Sequence, residues 1–212
     1  MHTVSLASGS GPDEEWIEQA RRRNVPENEV PGIASATQVL AHNGDAALWL
    51  GPVEVFGGGI RLSVQLLLRR SDVVPDDAAN PWGGMREVLV GVQLPGGQRL
   101  VAGNDPAAWL DHADGPTLVH NGGGGGGRTF AYTWYLTPLP EPGDLVVVAA
   151  FPAGGLAEGR VVIPAADLGA ARAAVVTLWP WEPDAQIQPP RPSRPKVPEG
   201  GWFAEALGEP PT

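Results

Sequence analysis

The sequence predicts a mainly β protein: an antiparallel β-sandwich with two flanking helices and an extended Pro-rich C-terminal tail. Three observations predict this fold. Apolar residues recur at every second position through much of the range 34–163, which is the period of a strand with one face in water. Glycine and proline, 29 and 23 of the 212 residues, mostly fall between these runs as turn signals. The hydrophobic fraction of 42% is large enough to build a core.

The alternation gives the individual strands. Leu62, Val64 and Leu66 alternate with polar residues, and Phe130 and Trp134 belong to a similar run. The predicted strands lie near residues 35–42, 46–56, 60–70, 86–94, 98–103, 117–120, 128–137, 144–151 and 160–163. Gly57–Gly59 and Pro95–Gly97 stand between neighbouring strands and are typical of hairpin connections.

Two helices are expected beside the strands. The first covers about residues 12–24, because Pro12 suits a first helical turn, acidic residues follow it, and three arginines end it. The second covers about residues 166–178, with Leu168 and Ala171 on one face and Pro180 as the stop.

The chain divides into three parts. Residues 1–32 are predicted to form the N-terminal helix and a linker, and residues 33–181 the sandwich body with the second helix. Residues 182–212 are predicted to be a Pro-rich extension that ends in an aromatic anchor. Proline at this density favours an extended polyproline conformation.

Composition and charge exclude several classes of function. The chain has no cysteine, so it has no disulfide framework, thiol nucleophile or thiolate metal site. The net charge of -10 opposes binding to nucleic acid or to an anionic membrane. The N-terminal sequence shows no export signal and no segment is apolar for long enough to span a bilayer, so the expected location is the cytoplasm.

Six consecutive glycines, Gly122–Gly127, run into an aromatic strand. The run is not a nucleotide-binding P-loop, because no Lys-Ser/Thr pair follows it. We interpret it mainly as a wide loop with unusual dihedral angles. Backbone N–H groups of Gly124 and Gly125, with the guanidinium of Arg128, form a candidate anion-binding nest.

A second candidate site is acidic. If strands 60–70, 86–94 and 98–103 form an antiparallel meander, the loops 71–85 and 104–116 lie at the same end of it. Oxygen-rich loops can bind calcium, which takes six to eight oxygen ligands. The candidate metal ligands are Asp72, Asp76, Asp105, Asp111 and Asp114. Calcium is the only cofactor that these residues suggest, and aspartate is also an ordinary turn residue.

Catalytic patterns are scarce. No serine lies in a G-x-S-x-G turn, and the four histidines have no spacing typical of a triad or a zinc site. Paired carboxylates with tryptophan platforms for a sugar remain an open alternative. Whether the protein is an enzyme is therefore left open, and the residues favour the view that it is not.

The favoured hypothesis of function, binding to a partner, rests on the C-terminal tail. Trp202, Phe203 and Leu207 stand at the end of a segment with little else to bury, so they gain stability by docking on the parent body, a neighbouring subunit or another protein. A self-docked or disordered tail is the alternative. Arg191 and Arg194 add positive charge that suits an acidic partner. These five residues are the predicted partner-binding set, either in self-association or with another protein.

The stretch NGGGGGGRTFAYTWYLTPLPEPGDLVVVAAFPAGGL, followed by an Ala-rich helix and TLWPW, resembles a family of uncharacterised β-rich proteins from actinobacteria. The shared pattern is a glycine run with arginine, an aromatic strand, a PLP-x-PG turn and a terminal LWP, over roughly residues 122–180. Phe151-Pro152 departs from the Trp-Pro of that pattern. The resemblance implies a β-rich body and a bacterial source, and it brings no activity or site residue.

Together these features predict a non-enzymatic protein-interaction or assembly module whose C-terminal tail docks on a neighbouring subunit or partner. The alternative is a ligand- or calcium-binding β-sandwich, or an enzyme of that fold acting on carbohydrate or phosphate, that uses the Asp-rich loops or the glycine run.

Overall fold

A computed structural model describes residues 21, 24–35, 37–71, 88–102 and 115–182. In chain order its elements are β1 (Glu29–Val30), β2 (Gly32–Ser35), β3 (Gln38–His42), β4 (Ala46–Leu50), β5 (Val53–Val55), β6 (Ile60–Leu68), β7 (Leu89–Gln93), β8 (Arg99–Val101), β9 (Thr117–Gly126), β10 (Thr129–Thr137), β11 (Leu145–Phe151), a 3-10 turn (Pro152–Gly154), β12 (Leu156–Ile163), α1 (Ala165–Ala173) and β13 (Val176–Thr177). Every strand pairing among them is antiparallel. The predicted mainly β, antiparallel fold is confirmed.

The larger sheet contains seven strands. Its main path runs β2-β5-β6-β10-β9, and β3 and β4 continue it beside β6. Both β4 and β5 pair with the same edge of β6, because Gly51 and Pro52 interrupt what would otherwise be one strand. The Gly51 N–H still donates to the Ser63 carbonyl oxygen at 2.7 Å, so the interruption does not open the sheet.

The smaller sheet has four strands in the order β12-β11-β7-β8. One side of each sheet contributes alternate residues to a shared core, in which Leu48, Leu62, Val147 and Ile163 are completely buried. Alternation of buried and half-buried residues along β6 is what a two-layer sandwich requires of a strand with one outer face.

Glycine allows the layers to meet closely at one side of the sandwich. A Cβ atom on Gly159 of β12 would lie 1.9 Å from the Leu40 carbonyl oxygen of β3. A Cβ on Gly32 of β2 would lie equally close, at 1.9 Å, to the Ala171 carbonyl oxygen of α1. Helix α1 and strand β12 therefore cover the β2 and β3 edges of the larger sheet at van der Waals distance.

Helix α1 is shorter than expected. It ends at Ala173, whereas the prediction extended it to residue 178. Val176 and Thr177 form β13, which pairs with β1, and the Leu178 N–H donates to the Asn28 carbonyl oxygen at 2.9 Å. The β-branched run that follows Val175 favours a strand over a helix, which explains the difference.

Two further predictions are wrong. Strand β6 does not form a meander with β7 and β8, because β6 lies in the larger sheet and the other two in the smaller one. The glycine run is not a loop, because Gly122–Gly126 continue β9 beyond the predicted end at residue 120. The predicted hairpins at Gly57–Gly59 and Pro95–Gly97 do connect paired strands. Most of the predicted helix over residues 12–24 lies outside the described residues.

Candidate interaction surface

The glycine edge, defined as Gly122–Gly126, is one border of the larger sheet. A turn of two residues, Gly127 and Arg128, joins it to β10, and Gly127 has φ of 62°. Glycine at the first central position suits the tight hairpin turns that match strand twist. Within the described residues, no strand pairs with the outer side of β9.

Two of these glycines are required by close packing. Gly125 lies opposite Phe130 and Gly123 opposite Tyr132. A Cβ on Gly125 would lie 2.4 Å from the Thr129 carbonyl oxygen and 2.8 Å from Cδ1 of the Phe130 ring. The aromatic ring thus occupies the space of the missing side chain, which is how aromatic residues stabilise glycine in a neighbouring strand.

The remaining glycines of the edge differ from these two. A Cβ on Gly124 or Gly126 would meet nothing within 4 Å. Gly122 has φ of 142° and follows a register irregularity at Asn121, opposite Thr133 and Trp134. The Thr133 hydroxyl donates to the Gly122 carbonyl oxygen at 2.8 Å, which fixes the backbone at this bulge.

The outer face of the larger sheet lies next to the glycine edge. Strand register places one row across it, from Val39 through Trp49, Gln65 and Ala131 to Gly124. We define the outer face by the side chains of Val39, His42, Ala47, Trp49, Ser63, Gln65, Leu67, Thr129, Ala131 and Thr133. None of these residues is acidic, lysine or arginine, although the whole chain carries a net charge of -10.

Apolar side chains on the outer face are open to water. Val39 is 62% exposed and Leu67 is 48% exposed, while Trp49 is half-buried between them. Strands about 4.8 Å apart place these residues on neighbouring strands of one continuous surface. Contiguous exposed apolar surface of this kind marks sites of interaction with another molecule.

Charged side chains flank the outer face at both ends of the sheet: Arg69 and Arg128 lie at the β9–β10 turn, and Glu54 and Arg61 lie at the opposite end. There the Arg61 guanidinium donates two hydrogen bonds to the Glu54 carboxylate, each 2.6 Å long. This bidentate pair, and above all its hydrogen bonds, raises the pKa of Arg61. The Arg61 guanidinium carbon also lies 5.4 Å from the centre of the Phe56 ring. Since its charge is already matched by Glu54, Arg61 is a weak candidate for holding an anion.

An open cleft of about 380 Å³ lies at this end of the sheet. Glu27, Glu29, Phe56, Arg61 and Asn121 are among its lining residues. The Glu29 carboxylate accepts a hydrogen bond from the Gly57 N–H at 2.7 Å. With two carboxylates and a matched guanidinium, the cleft suits a neutral or positively charged group better than an anion.

Two titratable groups lie deeper in the sheet. Burial, with the nearby charge of Glu29, raises the pKa of Tyr135, so its hydroxyl stays protonated at neutral pH. His120 stands on the inner side of β9, with its ring 6.0 Å from that of Trp134 and nearly perpendicular to it. Burial lowers the pKa of His120, and its Nε2 finds no hydrogen-bond partner among the described residues. Tyr135 therefore lies near a carboxylate, while His120 lies against an aromatic ring.

Of the predicted site residues, the structure describes three. Gly124 and Gly125 lie in the extended β9 strand, not in a curved nest, so the loop geometry predicted for anion binding is wrong. Arg128 lies in the hairpin turn, where its guanidinium donates to the Arg69 carbonyl oxygen at 3.4 Å. These residues therefore share one hairpin, but their N–H groups do not converge in the way that a nest requires.

The other predicted residues lie outside the described part of the chain. They are the partner-binding set Trp202, Phe203, Leu207, Arg191 and Arg194, and the calcium set Asp72, Asp76, Asp105, Asp111 and Asp114. Among the described residues, no group of three or more His, Asp or Glu side chains is placed to hold a metal ion.

Sequence reasoning missed the outer face, although a signal for it was present. The outward positions of three strands, at Val39, Trp49 and Leu67, carry no charge, whereas a solvated face is usually rich in charged residues. The period-two pattern gave the strands, but which outward positions lie side by side depends on a pairing order that the pattern does not contain.

In comparisons with known proteins, no family model, no curated protein and no solved structure matches the chain. The resemblance to actinobacterial β-rich proteins therefore stays a prediction. Within the ranges that the structure describes, no helix has both the length and the apolar character needed to cross a bilayer.

Proposed function

We propose that the protein is a non-enzymatic protein-interaction or assembly module. In this proposal the folded body offers the outer face as a docking surface, and the C-terminal tail docks on a neighbouring subunit or partner. The protein acts by bringing chains together, with no chemical step of its own.

The observation that carries this proposal is the uncharged, exposed outer face. Val39 and Leu67 are 62% and 48% exposed on a chain with a net charge of -10. Leaving large apolar side chains in water costs about 1.5–3 kcal/mol each relative to full burial. A partner that covers this face recovers part of that free energy without having to remove water from a charged group.

The tail supplies the second half of the proposal. Trp202, Phe203 and Leu207 follow a Pro-rich segment, and an extended polyproline segment of about 15 residues reaches on the order of 45 Å. This reach is enough for a tail to leave its own body and dock on another. Burying two aromatic side chains contributes about 3–5 kcal/mol at full effect.

Deletion of Gln188–Thr212 tests the tail. Sedimentation equilibrium of the full chain is expected to show assemblies larger than one copy, and the shortened chain is expected to show fewer copies per assembly. Substitution of Trp202 by Ala should weaken association in the same direction and leave the body folded, as judged by circular dichroism. A protein that is a monomer both before and after the deletion would overturn the assembly proposal.

A matched pair of variants tests the outer face. Leu67→Glu places a charge on the outer face, while Val162→Glu places the same charge on β12 of the smaller sheet. The two sites are similarly exposed, at 48% and 49%. Association should weaken in Leu67→Glu and persist in Val162→Glu. Equal effects of the two changes would show that the outer face is not the docking surface.

The open cleft favours a second candidate function, a ligand-binding sandwich. Its volume of about 380 Å³ lies within the size range of small-molecule sites. A thermal-shift screen with calcium, phosphate, sugars and small amines tests this alternative, since a bound ligand raises the melting temperature. Glu29→Gln should remove a shift caused by an amine, and the absence of any shift at millimolar ligand would argue against the alternative.

A further inference from the structure

The edges of the two sheets differ in how well they are covered. Helix α1 lies against β2, and β12 lies against β3, with backbone approaches that only glycine permits. Strand β8 is an exposed edge but has only three residues. Strand β9 has ten residues, and no strand among the described residues pairs with its outer side.

Strand β9 also lacks the features by which proteins usually protect such an edge. Between Thr117 and Gly126 it has no Lys, Arg, Asp, Glu or Pro. Charged side chains, proline and very short strands are the common means of preventing strand addition. The single bulge, at Asn121, lies before the glycine edge and leaves Gly123–Gly126 regular.

The glycine edge presents backbone and nothing else. In an antiparallel ladder every second residue of an edge strand points its N–H and C=O groups away from its partner. At Gly124 and Gly126 the space that a side chain would fill is empty within 4 Å. From Gly122 to Gly126 the strand itself therefore carries no side chain that a second strand would have to pass.

We propose that two copies of this chain pair antiparallel through their glycine edges, with a twofold axis near Gly124. Gly123 of one copy then lies opposite Gly125 of the second copy. The two larger sheets become one continuous sheet, and the two outer faces lie side by side.

Two features favour a second copy over an extended segment of a different protein. In strand addition, selectivity for a foreign sequence comes from pockets that take alternate side chains. A glycine strand has no side chains with which to build such pockets. Twofold pairing needs none, because symmetry presents the same strand on both sides and thereby sets the register. The absence of charge on β9 also removes local repulsion between two copies that each carry -10.

This pairing goes beyond the proposed tail-mediated function, because it needs neither the tail nor the outer face. The test uses the full chain with Gly124→Lys, which places two ammonium groups opposite each other at the twofold axis. Gly96→Lys is the matched control: it lies in the β7–β8 turn, and a Cβ there also meets nothing within 4 Å. Like charges directly opposite each other destabilise strand pairing.

Sedimentation equilibrium over a wide concentration range should show that Gly124→Lys weakens self-association by about tenfold or more, while Gly96→Lys leaves it unchanged. Hydrogen exchange at Gly122–Gly126 should slow as the concentration of the unsubstituted chain rises. Circular dichroism checks that each variant is folded, and Gly124→Glu, with Gly96→Glu as its control, replaces the lysine pair if Gly124→Lys is not.

Two results would overturn the inference. One is equal association of Gly124→Lys and Gly96→Lys, and the other is exchange at the glycine edge that does not depend on concentration. If deletion of Gln188–Thr212 reduces the number of copies per assembly while Gly124→Lys does not, assembly proceeds through the tail and the edge pairing is wrong. If Gly124→Lys reduces the number of copies per assembly and the deletion does not, the edge pairing holds and the tail proposal is wrong.

Discussion

Two borders of the larger sheet use glycine in opposite ways. At the β2–β3 border, Gly32 and Gly159 allow a helix and a strand to touch the sheet backbone, and both edges are covered. At the β9 border, a Cβ on Gly124 or Gly126 would meet nothing within 4 Å, and no described strand pairs with the outer side of β9. The same residue type closes one side of the sandwich and leaves the other side available for another molecule.

The comparison teaches that a glycine-rich strand is not simply a weak strand. Glycine loses more backbone entropy on folding than any other residue, so a strand built from it needs compensation. In β9 the compensation comes from β10, whose Phe130 and Tyr132 lie opposite Gly125 and Gly123. The aromatic strand that follows the glycine run is therefore its structural partner.

The largest loss of stability is expected at the border where β12 covers β3. Gly159→Ala places a Cβ atom 1.9 Å from the Leu40 carbonyl oxygen, and backbone at that distance must move apart. We expect a loss of about 3 kcal/mol or more in the free energy of unfolding, the upper end for overpacking. Urea denaturation measures it, with Gly96→Ala as the control. A loss below about 1 kcal/mol would mean that β12 and β3 are not in backbone contact.

In β9, alanine substitution of the neighbouring residues Gly125 and Gly124 should change the free energy of unfolding by different amounts. Gly125→Ala should cost about 1–3 kcal/mol, because its Cβ would lie 2.4 Å from a carbonyl oxygen and 2.8 Å from the Phe130 ring. Gly124→Ala should change the free energy of unfolding by about 0.5 kcal/mol at most, since its surroundings are empty. Urea denaturation of the two variants would contradict this account if they were equally stable.

On the helix that covers β2, one glycine should be dispensable. Gly169 lies inside α1, is exposed, and has nothing within 4 Å of its Cβ position. Gly169→Ala should stabilise the protein by about 0.8–1 kcal/mol, the difference in helix propensity. Thermal denaturation should show a higher midpoint, and a lower midpoint would mean that α1 makes a contact at Gly169 beyond those described.

The smallest expected effect is the pH dependence of the free energy of unfolding that arises from His120, on the inner side of β9. The folded protein holds the pKa of His120 below its ordinary value near 6.5, so the unfolded chain binds a proton more readily. Stability should therefore fall as the pH drops below about 6.5. The fall should be shallower in His120→Gln, whereas His42→Gln, on the exposed outer face, is the control. The same pH dependence in both variants would show that His120 is not the titrating group.

Part of this fold was predictable from the sequence. The alternation through Leu62–Leu68 gave β6, and Gly57–Gly59 gave the hairpin before it, because strand period and turn chemistry are local. The extension of β9 into the glycine run was not predictable, since glycine has little β propensity of its own. Its strand conformation depends on the aromatic rings of β10, which become its neighbours only when the sheet forms.

The candidate site was less predictable than the fold. Whether Val39, Trp49 and Leu67 share one surface depends on which strands pair, and the meander considered for β6 differs from its pairing in the structure. The tail residues Trp202 and Phe203 came from composition alone and lie outside the described residues. Local patterns thus identify the strands, while the surface that the strands build is a property of the assembled sheet.

The most direct test of the central claim, that the protein associates through the open side of its larger sheet, is the mass of one combined variant. The full chain with Leu67→Glu and Gly124→Lys is compared by sedimentation equilibrium with the full chain carrying Val162→Glu and Gly96→Lys. Both have the same formal charge. The account predicts that the first is a monomer at concentrations where the second associates like the unsubstituted protein, and equal masses for the two would contradict it.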